Sequence, residues 1–194
     1  AIGQWAKLIN EGQQQALKAS WQALSEADAL SNTASSEIQR WPDAWRERPQ
    51  SQLHLHVVKS LQNGWANWLA LLKPLLQAGN VCDNSLALQL LKSFSQFQVL
   101  CALRQGAWGV QALNERIALA LGLVSSREKG FQSPDAQGAW FVGRPVMVTR
   151  NDYHLNLMNG DVGQCLPTAQ GLRVAFPDGK GGIRWILPSR LEGV

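Results

Sequence analysis

The 194-residue chain has little of what builds covalent, metal-bound or membrane-spanning architecture. Its three cysteines, Cys82, Cys101 and Cys165, fall in no CxxC or Cys/His spacing. A zinc site and a disulfide framework are therefore not expected, and a reducing, cytoplasmic setting is. His54 and His56 stand two apart, which splays their side chains on a helix, and their segment has helical pattern. They read as solvated histidines, and no metal site is expected. No apolar run reaches the length that crosses a bilayer, which predicts a soluble protein with no membrane contact. Only 16% of the residues are charged and the net charge is +4, a mild bias rather than the signature of a polyanion binder. No GxxxxGK followed by Ser or Thr occurs, so the chain holds no complete nucleotide site. Nor can a Ser/His/Asp set, a pair of catalytic carboxylates or an activated cysteine be assembled.

What is present divides by period. Up to about residue 125 the chain is rich in Ala, Leu, Gln and Trp with helical spacing, and the last fifty or so residues are rich in Gly, Val and Arg with strand alternation. The class expected is mixed α+β. The basic excess lies mostly in the second part, where Phe97 onward holds ten Lys and Arg against seven Asp and Glu.

Ile2, Trp5, Ala6 and Ile9 mark an opening helix that ends near residues 10–12, and Leu17, Trp21 and Leu24 a second, shorter one. Residues 25–50 show no sustained period and read as a loop with a helical turn or two around Ile38, Trp41 and Trp45. Residues 52–76 make the longest helix candidate, with Leu61, Trp65, Trp68, Leu72 and Leu76 on one side, weakened at Gly64 and kinked or ended at Pro74. Asp83 or Asn84 caps a further helix with the stripe Ala87, Leu90, Leu91 and Phe94. The nine tryptophans fit core packing, or a surface for a partner subunit.

Residues 97–103, FQVLCAL, form a continuous apolar run suited to a strand buried on both faces. A loop with Gly106 and Gly109 follows, then a helix marked by Val110, Leu113, Ile117 and Leu121. That order is half of a βαβ unit, whose helix N-terminus can receive a phosphate, with Arg104 adding charge. The same two glycines serve loop geometry alone in many proteins.

Residues 143–163, GRPVMVTRNDYHLNLMNGDVG, organise the rest. Val146 and Val148 alternate as in a half-buried strand, Asn159-Gly160-Asp161 supplies a turn, and strands are predicted at 162–166, 172–176 and 183–187. Strands this short and this close are expected to curl into a small barrel. The barrel carries Arg144, Arg150, Tyr153, His154, Arg173, Lys180, Arg184 and Trp185. Basic and aromatic residues so interleaved suit single-stranded nucleic acid, and equally suit ordinary solvated positions.

Several of these stretches together resemble one family. The runs at 97–117, 143–152 (GRPVMVTRND), 155–163 (LNLMNGDVG), 171–176 (GLRVAF) and 187–192 (LPSRLE), with the opening AIGQWAKLINEG, look like the alpha subunits of bacterial exodeoxyribonuclease V, which are superfamily 1 DNA helicases. The resemblance implies an ATP-driven motor of two RecA-like lobes that moves 5′ to 3′ on single-stranded DNA, with an SH3-like barrel inserted in the second lobe. On that footing residues 1–125 are a helical region and part of the second lobe, 126–142 a connector, and 143–192 the barrel. Arg104, Gly106, Gly109 and Asn114 are carried over to the nucleotide cleft, and Asn159, Gly160 and Asp161 to a structural turn. Arg144, Arg150, Tyr153, Arg173 and Arg184 are the candidates for DNA contact. ATP and Mg2+ would be cofactors of the full-length protein, and the beta and gamma subunits its partners. The chain starts in mid-pattern at Ala1, so it is expected to be an excised piece with no ATPase activity of its own, and its incomplete sheet to favour self-association. An alternative reading makes the barrel a scaffold that docks the motor to partner subunits without touching DNA.

Overall fold

The computed structural model describes residues 2–23, 53, 55–124 and 140–191. The chain divides into two compact units, Ala1–His56 and Val57–Val194.

In the first unit α1 (Ile2–Asn10) and α2 (Gln14–Ala23) form where their spacing predicts, and they pack together. The turn between them needs Gly12 at φ +66°, where its N–H donates to the Ile9 carbonyl at 3.1 Å. The expected loop around Ile38, Trp41 and Trp45 lies outside the described residues, as does His54.

The second unit begins with the long helix candidate, which is broken where its composition predicts. α3 (Leu55–Gly64) stops at the glycine, α4 (Ala66–Leu72) resumes, and a 3-10 turn, Lys73–Leu76, carries Pro74. Leu61, Trp65, Trp68 and Leu72 are buried as expected. The stripe then leaves Leu76 exposed and buries Leu75 instead, because three residues per turn puts Leu75, not Leu76, below Leu72. Gly64 has a packing reason as well: a Cβ there would lie 2.5 Å from the Phe97 ring. α5 (Asn84–Phe94) is capped by Asp83, whose carboxylate accepts the Leu86 N–H at 2.8 Å, and it buries Ala87, Leu90 and Leu91. An aromatic cluster seals the helices, with Trp65 stacked on Phe94 at 5.6 Å and edge-on to Phe97 at 5.0 Å. Trp65 Nε1 also donates to the Phe97 carbonyl at 3.0 Å.

Past Phe97 the structure departs from expectation. Residues 98–103 form no strand, and Leu100 is 89% exposed. A strand buried on both faces needs hydrogen-bonded neighbours on both edges, and the sheet among the described residues is antiparallel and built elsewhere. The half βαβ unit therefore does not form in this chain. α6 (Val110–Ala120) follows, with Ala118 buried; Leu113, Ile117 and Leu121 are half-buried and Val110 is exposed.

The four strands fall where alternation predicts: β1 (Pro145–Met147), β2 (Val162–Thr168), β3 (Gly171–Pro177) and β4 (Ile183–Ile186), each antiparallel to the next in the order β1-β2-β3-β4. No pairing joins β1 to β4 among the described residues. The core on one face, Val148, Cys165, Val174, Phe176 and Ile186, is closed by Leu157 from the loop between β1 and β2 and by Leu191 from a 3-10 turn, Pro188–Leu191. On the other face α5 packs across β2, β3 and β4, and Trp68 Nε1 donates to Gln164 Oε1 at 3.1 Å in a fully buried contact. Both faces of β2 are therefore covered. Gly163 permits the tight approach to β3, since a Cβ there would sit 2.7 Å from the Phe176 ring.

Candidate nucleic-acid interface

Two groups of sequence-derived candidates can now be placed. In the first, Gly106 takes φ +89° and Gly109 caps α6 with no side-chain bond. A Cβ on Gly109 would lie 2.5 Å from the Gln105 carbonyl oxygen, so this glycine serves the loop's own geometry. The N–H of Gly109 donates to the Gly106 carbonyl and that of Val110 to the Leu103 carbonyl, both at 3.0 Å. Amides that a phosphate would use are thus already engaged. Arg104 and Asn114 are exposed, the former before the turn and the latter on α6 beyond it. With no strand behind the turn, these residues do not form the strand-loop-helix arrangement on which a phosphate site of that kind depends. Among the described residues no group of three or more His, Cys, Asp and Glu could hold a metal ion.

The second group separates on inspection of each side chain. Arg144 is half-buried with its guanidinium 4.7 Å above the Trp140 ring. Burial lowers its pKa, and its charge works against the opposite effect of burial on the Cys165 thiol, which is still pushed up to about 11. Arg173 folds back on the turn between β2 and β3, its Nη1 donating to the carbonyls of Gln170 at 3.1 Å and Leu172 at 2.9 Å. Arg184 donates from Nη1 to the Asn156 carbonyl, tying β4 to the loop between β1 and β2. Trp185 is half-buried and its Nε1 donates to Asn84 Oδ1 at 2.7 Å, joining β4 to the start of α5. These four side chains brace the unit.

Arg150, Tyr153 and His154 are different. They are exposed on one loop that is held from within. Asn151 Oδ1 accepts the Asn159 N–H at 2.8 Å, and Asp152 Oδ1 accepts those of His154 and Leu155 at 2.9 and 3.0 Å. Backbone bonds at 2.8 and 2.9 Å bridge Asp152 and Leu157. In the Asn159-Gly160-Asp161 turn, Gly160 takes φ +95° and Asp161 Oδ2 accepts the Met158 N–H at 2.8 Å. Both loop carboxylates are therefore turned onto backbone amides. Lys180 is also exposed, on the turn that Asp178 organises by accepting the N–H groups of Lys180 and Gly182, bonds that lower the carboxyl's pKa. Met147, Met158 and Val162, which spacing did not single out, are exposed as well.

The described residues thus set an antiparallel sheet on a helical layer, with a braced loop that exposes an arginine and a tyrosine. No known protein-family model matches the chain. It is similar to subunits of a multi-component enzyme, and those relatives are RecBCD enzyme subunit RecD. The protein of that name from Mycolicibacterium smegmatis is 39% identical over 88 residues, 45% of this chain and 15% of the relative. That from Haemophilus influenzae is 35% identical over 116 residues, 57% of this chain and 17% of the relative. That from Mycobacterium tuberculosis is 36% identical over 93 residues, 48% of this chain and 15% of the relative. The chain thus spans about a sixth of the length of these relatives. No helix among the described residues is long and apolar enough to cross a membrane.

Proposed function

We propose that this chain is the part of a RecD-type helicase subunit that helps hold and guide a single DNA strand. The observation that carries the reading is the 35–39% identity to RecD subunits over about half of the chain. In the full-length protein, ATP and Mg2+ would drive 5′ to 3′ unwinding during double-strand-break repair, using nucleotide-binding segments outside this chain, and the beta and gamma subunits would complete the exodeoxyribonuclease. The isolated chain would not hydrolyse ATP, and its uncovered residues 99–103 would favour self-association.

The contribution of these residues is local and electrostatic. Arg150 has no ion pair or hydrogen bond among the described residues, so its charge is available to a phosphate. The loop is ordered by its own hydrogen bonds, so little conformational entropy is lost when a strand docks.

Charge reversal tests this. Arg150→Glu weakens binding of a single-stranded oligonucleotide and reduces the slope of log affinity against log salt by about 0.7, the loss of one phosphate contact on a single strand. Unchanged DNA binding together with impaired association with the beta and gamma subunits would overturn the reading in favour of a docking module.

A further inference from the structure

Building on Arg150 as the phosphate contact of the proposed function, we infer that its neighbour Asn151 is a positioning residue. Its side chain ties the backbone beside Arg150 to the Asn159-Gly160-Asp161 turn.

Arg150 lies between two ties to that one turn. On its N-terminal side Val148 donates its N–H to the Asp161 carbonyl and accepts the Gly160 N–H at its own carbonyl, both at 2.9 Å. Val148 is buried in the core of the sheet, so this tie continues the hairpin of β1 and β2. On the C-terminal side the tie is a single side chain: Asn151 Oδ1 accepts the Asn159 N–H at 2.8 Å, and Asn151 Nδ2 donates to the Tyr153 hydroxyl at 3.3 Å. Main-chain groups make the first tie and would survive any substitution. The second depends on one amide.

Asp152 does not duplicate it, because its Oδ1 accepts the N–H groups of His154 and Leu155 further along the loop. The turn itself is a firm anchor, with Gly160 at φ +95° and Asp161 Oδ2 accepting the Met158 N–H at 2.8 Å. Asn151 is exposed, so its contribution is the order of the loop and not burial. An arginine on an unordered loop must lose backbone freedom when it meets a phosphate, and that cost falls on affinity. Removing the Asn151 amide restores this freedom to the unbound chain and leaves the charge of Arg150 in place.

The test is a double-mutant cycle on the whole chain, read by fluorescence anisotropy with labelled oligothymidylate at low salt. Asn151→Ala is expected to weaken binding about threefold with the circular dichroism spectrum retained. That loss disappears when Arg150 is already alanine, because the amide acts through the arginine. Equal losses in both backgrounds would overturn the positioning role, since Asn151 would then act on the strand or on the fold without Arg150. Full-strength binding by Asn151→Ala alone would overturn it too, while leaving strand binding intact. An Arg150→Ala chain that binds as tightly as the parent, or a parent that binds no oligonucleotide, would overturn the proposed function and this inference with it.

Discussion

At the scale of single residues, the buried pair Trp68 and Gln164 shows how polar chemistry is tolerated inside this unit. Gln164 is fully buried on β2, its Oε1 accepts from the indole, and its Nε2 has no partner among the described residues. Removing the indole N–H would leave the whole amide unsatisfied. Trp68→Phe is accordingly expected to cost roughly 1–3 kcal/mol beyond the packing it loses, measured as a lower urea midpoint with an unchanged m-value. Loss of less than a few tenths of a kcal/mol would show that the bond contributes nothing. No sequence pattern announces such a pair, because the partners are ninety-six positions apart and glutamine in a strand usually reads as solvent-facing. The same limit explains the arginines: spacing identified them as cations near aromatics, and only the fold shows that Arg173 and Arg184 point at carbonyls and Arg150 at no group among the described residues.

At the scale of elements, local chemistry was the better guide. α5 was legible in its start and its buried face, since Asp83 or Asn84 before a 3.6-residue stripe points to a cap and to the side that packs, and the structure places the cap at Asp83. Asp83→Ala is expected to destabilise the unit by about 1 kcal/mol, readable as a lower melting temperature with the fold retained; an unchanged melting temperature would remove the cap from the account. The hairpin strands were equally legible, through alternation and the glycines at 160, 179, 181 and 182. Residues 97–103 were not. A continuous apolar run reports that the segment is suited to burial, while a strand also needs a neighbour, which this chain does not supply. The Leu75 for Leu76 exchange has a similar origin, because the pitch of the 3-10 turn around Pro74 is a local backbone outcome that an α-helical period cannot anticipate.

At the scale of the molecule, the helices from Val57 onward and the four-stranded sheet belong to one compact unit, joined by the Trp68–Gln164 and Trp185–Asn84 bonds and by the Cys82 N–H donating to the Pro167 carbonyl at 2.7 Å. The braced loop is therefore carried on a packed support of helices and sheet. The α+β class and the likeness to exodeoxyribonuclease V alpha subunits were readable from ordered motifs, whereas the division of the basic residues into structural and available ones was not. The most direct measurement is a tryptophan-quenching titration of the chain with a short single-stranded oligonucleotide at two salt concentrations, with duplex as control. The account predicts binding that prefers the single strand and a shallow salt slope, about −1 to −2, because few cations are available. Absence of binding at low salt, or equal affinity for duplex, would contradict it.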